Sequence, residues 1–152
     1  VEDCEKRENG VVFTPCYIVE YILENTLMEQ LDEDSIIIDP ACGSGAFLVL
    51  AAEKLSPKLN KSLSETISHN IFGIDLSEDN VRRTKELLTL LVLSSGESAD
   101  LLRFNINAAN SLKENWFELF GKKTFHFIIG NPPYVNTHDM SKDTISLLKN
   151  NY

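Results

Sequence analysis

The sequence predicts an α/β fold in which helices wind on both sides of a mostly parallel sheet of about four strands. Two observations carry this expectation. Short apolar runs recur at Ile36-Ile37-Ile38, at Ile71 to Leu76 and at Phe125 to Ile129, and they are continuous rather than alternating, as in strands covered on both faces. Between them lie longer segments whose apolar residues repeat at helical spacing.

Val1 to Gly10 is charged and expected to be loose, which makes residues 1–9 a flexible terminus and residues 10–152 one folded unit. Thr14 before Pro15 is a helix-start signal, a hydroxyl cap followed by proline at the first helical position. Ile18, Tyr21, Ile22, Met28 and Leu31 then give an apolar face through about Gln30. Ile36 to Ile38 forms the first strand, ended by Asp39-Pro40. ACGSG leads from it into AFLVLAAEKL, a helix expected to stop at Ser56-Pro57. Lys58 to Asn70 is polar, with a short helix around Leu63 to Ile67. Ile71 to Leu76 is the second strand. Ser77 with Glu78 and Asp79 opens a helix that sets Val81, Thr84, Leu88 and Leu91 on one face, and Ser94-Ser95-Gly96 closes it. Phe104 to Ala108 is the third strand and Phe125 to Ile129 the fourth, and Lys142 to Asn150 begins a further helix.

At 152 residues with 43% hydrophobic residues, the chain has enough apolar content for one core and is of single-domain size. Its formal charge of −9 argues against this segment supplying the main phosphate-neutralising surface for a nucleic acid. Cys4, Cys16 and Cys42 are odd in number and lack C-x-x-C spacing, so reduced thiols in a cytosolic protein are expected rather than a disulfide framework. His69, His126 and His138 stand apart from one another and from the cysteines, and they suggest no metal site. Neither a charged-then-apolar leader nor an apolar run of membrane-spanning length is present, so neither a signal peptide nor a membrane span is expected.

The chemistry-bearing residues fall at strand ends, where open α/β sheets hold their ligands. In DPACGSG, Asp39 to Gly45, glycines between a buried strand and a helix let the backbone turn tightly and approach a ligand, and the helix start offers free N–H groups. Asp39 adds a negative charge, so the loop, with Ala41, Gly43 and Gly45, suits a ligand that carries both a carboxylate and a cation. The spacing is neither G-x-G-x-x-G nor a P-loop, and a turn using glycine for geometry alone stands beside this reading. Asp75 ends the second strand, where a carboxylate typically accepts from ribose hydroxyls, or caps the helix that follows. The Asn110 amide follows the third strand and suits either the edge of an adenine ring or a turn.

The fourth strand ends in IIGNPPYV, where two prolines forbid both a continued strand and an immediate helix. An exocyclic aromatic amine is a poor nucleophile because its lone pair is conjugated into the ring. Two hydrogen-bond acceptors aimed at its N–H groups draw the nitrogen towards tetrahedral geometry and release that pair. The Asn131 side-chain oxygen and the Pro132 carbonyl can be those acceptors, with Pro133 holding the corner rigid and Tyr134 offering a face on which an extruded base can stack. This would be electrostatic stabilisation of developing charge, with no general base needed at the start. A plain Asn-Pro turn is the alternative.

DPACGSGAFL, IFGIDL and IIGNPPYV, in that order, resemble the amino-group DNA methyltransferases that use S-adenosyl-L-methionine. GVVFTPCYIVEYIL, Gly10 to Leu23, resembles the Thr-Pro motif that precedes the cofactor glycines in the gamma group of that family, which methylates N6 of adenine. The group includes type I modification subunits and fused restriction–modification enzymes. The resemblance implies a Rossmann-like sheet of the class I methyltransferase type. It also implies that Thr14 and the Asp39 to Gly45 loop hold the methionine end of the cofactor, Asp75 the ribose and Leu76 the adenine. Asn131, Pro132 and Tyr134 would hold the target base. Phe13 replaces a frequent tyrosine, and Asn110 stands where aspartate is usual, keeping an acceptor but losing charge.

The resemblance covers only the first half of the family's catalytic domain. This implies a fragment, inactive alone, whose DNA contacts come from a target-recognition domain elsewhere. Phe125, Phe127 and Ile129 would then line an exposed edge strand that pairs with another chain or with itself. Methyltransferases acting on a protein glutamine also use Asn-Pro-Pro-Tyr, and a non-catalytic cofactor-binding or assembly module remains a further alternative.

Overall fold

Four short strands, β1 (Ile37–Asp39), β2 (Ile71–Asp75), β3 (Asn105–Ala108) and β4 (Phe127–Ile128), run parallel in the order β3-β2-β1-β4. They belong to a computed structural model that describes residues 14–27, 30–122, 124–134 and 140–151. Val1 to Gly10, expected to be loose, and Phe13, Met28 and His138 lie outside the described residues. Ile37 of β1 lies beside Ile71 on one side and Phe127 on the other, so the chain builds outward from β1 through β2 and β3, then returns to β1's free edge with β4. This reversal is the topological switch point, and the crevice beyond the carboxyl ends of β1 and β4 is where such sheets take ligands.

Alternation along the strands separates two faces. Ile37, Ile71 and Ile106 face the main core, which is built with α1 (Cys16–Thr26), α2 (Ala46–Leu59), α3 (Leu63–Asn70) and α4 (Glu78–Ser94). Ile38, Phe72 and Ile74 face the other way, against Trp116, Leu119 and Phe120 of α5 (Trp116–Phe120) and Phe125. There Phe72 and Phe125 meet edge to face, with ring centroids 5.6 Å apart. A last helix, α6 (Lys142–Asn151), follows β4.

Several elements depart from the sequence expectation. The buried stripe of α1 is Val19, Leu23 and Leu27, while Tyr21 is exposed, because two neighbouring apolar stripes compete and α2 packs on the one spaced by four residues. Helix α1 begins at Cys16 with Pro15 as its N-cap and no side-chain cap, so Thr14 does not cap it. Helix α2 runs through Pro57 to Leu59. Proline here forfeits the bond its nitrogen would have given to the carbonyl four residues back, and burying Leu59 in the core offsets the loss. Along and beside β4, Phe127 and Ile129 pack on the main core and Phe125 joins the aromatic cluster; the bare residue is Ile128, which faces the side that α5 leaves open and is 64% exposed.

Candidate functional site

The glycine loop closes on itself and on its neighbours. Asp39, buried at the tip of β1, accepts from the Ala41 N–H at 3.0 Å, and the Cys42 N–H donates to the Ile74 carbonyl at 2.9 Å, tying the loop to β2. Gly43 has φ +54°, and a Cβ built there would meet nothing within 4 Å, so the loop presents an open, side-chain-free surface at this point. Gly45 serves a different need. Its φ is +91° and a Cβ there would come within 2.8 Å of Thr84 Cγ2, so glycine lets the start of α2 press against α4.

Asp75 is the hub between loop and helix. Its Oδ2 accepts from Gly43 N–H at 2.8 Å, while Oδ1 accepts from Ser77 N–H at 2.9 Å and from the Asn80 side-chain amide at 3.0 Å. The helix-start contact of the sequence expectation is present, and Oδ2 keeps acceptor capacity beyond its bond to Gly43. Leu76 beside it is 76% exposed, an aliphatic surface next to the carboxylate. Asn110 acts as a turn residue, its Oδ1 accepting from Leu112 N–H at 3.0 Å.

Across the switch point, Gly130 has φ +146°, and a Cβ there would lie 2.5 Å from Asp39 Oδ1. Only glycine lets the end of β4 press against the buried carboxylate of β1. The turn that follows holds Asn131 partly buried and leaves Pro132, Pro133 and Tyr134 exposed, Tyr134 by 82%. The Asn131 amide donates to Thr14 Oγ1 at 3.2 Å. Among the described residues none donates to Asn131 Oδ1 or to the Pro132 carbonyl.

Burial pushes the Asp39 carboxyl up to about 7, with the Ala41 N–H holding it partly down and the Asp75 charge adding to the rise. Burial, reinforced by the Asp39 and Asp75 carboxylates, pushes the Cys42 thiol up to about 12, so it stays protonated and is no nucleophile.

Residues 2–150 match the model of the N-6 DNA methylase family. The chain belongs to that family. Among its relatives, the type II methyltransferase M.PaeR7I of Pseudomonas aeruginosa is 27% identical over 141 residues, which cover 83% of this chain and 23% of that protein. The type II restriction enzyme and methyltransferase RM.Eco57I of Escherichia coli is 29% identical, matching 92% of this chain and 19% of its own length. The modification subunit of a putative type I restriction enzyme from Vibrio vulnificus YJ016 superposes with a TM-score of 0.51 at 25% identity, over 71% of this chain and 20% of that one. The chain thus spans about a quarter or less of each of these three relatives.

Within this N-6 DNA methylase chain, the sequence singled out Asp39, Ala41, Gly43, Gly45, Asp75, Leu76 and Asn131 to Tyr134, and the fold gathers them at the carboxyl end of the sheet. It passed over Asn80, Thr84 and Gly130. Thr84 carried a signal: a hydroxyl in an otherwise apolar helix stripe needs a partner once buried, and it donates to the Gly43 carbonyl at 3.0 Å.

Proposed function

We propose that this chain is the cofactor-binding and amine-activating part of a methyltransferase that modifies N6 of adenine in DNA within a restriction–modification system. In this reading it works inside a longer cytoplasmic protein whose target-recognition domain grips double-stranded DNA and presents a flipped adenine. The observation that carries it is the Asn131 turn: two carbonyl oxygens uncommitted among the described residues, at the switch point, beside an exposed tyrosine ring.

The open face of Gly43, the acceptor capacity of Asp75 Oδ2 and the exposed Leu76 fit a cofactor with ribose hydroxyls and an apolar ring, as S-adenosyl-L-methionine has. When bound, that cofactor supplies an electrophilic methyl group. Asp75 would take a ribose hydroxyl, Leu76 would pack on the adenine, and the Asp39 to Gly45 loop, with Thr14, would hold the methionine end. Asn110, committed to its turn, contributes shape at the ring edge. Asn131 Oδ1 and the Pro132 oxygen would accept the two N–H groups of the target amine, with Pro133 fixing the corner and Tyr134 stacking on the base. The nitrogen would gain the methyl as the donor's sulfur–carbon bond breaks, and one of its protons would pass to solvent. Membership of the N-6 DNA methylase family, with relatives named as a type II methyltransferase and as a type II restriction enzyme and methyltransferase, favours a nucleobase over a protein glutamine.

Calorimetry with S-adenosylhomocysteine tests the division of labour. Asp75→Ala is expected to weaken binding roughly tenfold or more, as loss of a charged hydrogen bond does, while Asn131→Ala leaves it nearly unchanged. Equal losses in two variants with intact circular dichroism would overturn the assignment. Methyl transfer to a glutamine peptide, and none to DNA, by the longer protein would overturn the substrate.

A further inference from the structure

Thr14 carries the sequence signature of a helix cap yet caps nothing; its hydroxyl instead takes the Asn131 amide N–H at 3.2 Å, from 117 residues away in the chain. The bond joins the segment that enters α1 to the turn that leaves β4.

Its importance lies in direction. A carboxamide is nearly symmetric in shape, and rotating it by half a turn exchanges its oxygen and its NH2 group. In the proposed function only one orientation works: with the oxygen outward the side chain accepts from a target amine, and with the NH2 outward it sets donor against donor. A hydroxyl has one proton and two lone pairs, so alone it tolerates either orientation. Once its proton is committed to an acceptor elsewhere it can only accept, and the amide must then turn its N–H inward.

We propose that Thr14 is a positioning residue that fixes the orientation of the Asn131 amide, and that a carboxylate-bearing ligand locks this orientation by taking the Thr14 hydroxyl proton. This rests on the function proposed above and adds a consequence to it. The donations run in one sense, from Asn131 N–H to Thr14 oxygen and from Thr14 O–H to carboxylate, so each strengthens the next. The target amine's donation to Asn131 Oδ1 extends the same series. A cofactor with its amino-acid end in place would thereby prepare the base-binding amide before any base arrives.

The test reads the Asn131 side-chain NH2 signals of the 15N-labelled 152-residue chain by NMR. Two probes are used: S-adenosylhomocysteine, which has the carboxylate, and 5′-methylthioadenosine, which lacks it. In the wild type, S-adenosylhomocysteine is expected to shift the NH2 signals downfield and slow their exchange with water, and methylthioadenosine to leave them unchanged. Thr14→Ser should behave as wild type. Thr14→Val should lose the hydrogen-bonded signature with and without ligand. It should also bind S-adenosylhomocysteine roughly tenfold more weakly, yet bind methylthioadenosine as before. An Asn131 signature unchanged in Thr14→Val, or one that responds equally to both probes, overturns the proposal. If neither probe binds, the function reading falls, and the ligand-free comparison of Thr14→Val with Thr14→Ser still decides whether the hydroxyl holds the amide.

Discussion

Asp39 is buried at the sheet tip, and its desolvated carboxyl is pushed up to about 7, so the folded protein prefers it neutral. The unfolded chain ionises the same group near 3.8. The group's contribution to stability is therefore fully present below pH 3.8 and is lost as pH rises through about 7, a loss on the order of 4 kcal/mol. Asn is neutral throughout and keeps an oxygen for the Ala41 N–H. Asp39→Asn should leave the melting temperature nearly unchanged at pH 4 and raise it by several degrees at pH 8, removing the decline between; a parallel pH profile in both proteins would refute the assignment. The sequence showed that a carboxylate stood at a strand tip. It could not show that Gly130, far along the chain, presses on it, because that contact exists only once β4 lies beside β1.

At the scale of elements, α4 supports the glycine loop from behind. Thr84 donates to the Gly43 carbonyl while its methyl group fills the space that Gly45 leaves, and Asp75 at the start of the same crossover accepts the Gly43 N–H. The Gly43 peptide is thus held at both ends by β2 and α4. Thr84→Val keeps the volume and removes the donor, so it should cost about 1 kcal/mol in urea unfolding and weaken S-adenosylhomocysteine several-fold, while Thr84→Ser keeps the ligand affinity. Equal affinities for Val and Ser would make Thr84 a packing residue only. The helix face holding Thr84 was legible from its periodicity. Helix α5 was not, since five residues with three aromatics, WFELF, show no helical period and resemble a strand. Its signals were in the caps: the Asn115 side chain accepts from Phe117 and Glu118 N–H groups, and Gly121 closes the turn at φ +60°. The strand order was not legible in the sequence, because register and neighbour are set by long-range packing.

The whole sheet has two unlike edges. β3 reads Asn-Ile-Asn-Ala, with Ile106 turned into the core and polar residues between, an edge that resists further pairing. β4 reads Phe-Ile, pairs only with β1 among the described strands, and leaves Ile128 64% exposed on the face that α5 does not cover. Neither a charge nor a proline protects that edge within the strand itself, although the chain as a whole carries a charge of −9. An apolar strand edge on an otherwise acidic molecule fits continuation of the sheet by further chain, in keeping with the small share of its relatives that these residues span. Purified as 152 residues, the protein should therefore associate with itself through β4 as concentration rises, despite its charge. Sedimentation velocity over a hundredfold concentration range should show a growing dimer, and Ile128→Lys should suppress it by setting a charge on the exposed face without touching the core. If both proteins sediment as monomers throughout, β4 is an edge that the fold tolerates uncovered, and the sheet needs no strand beyond it.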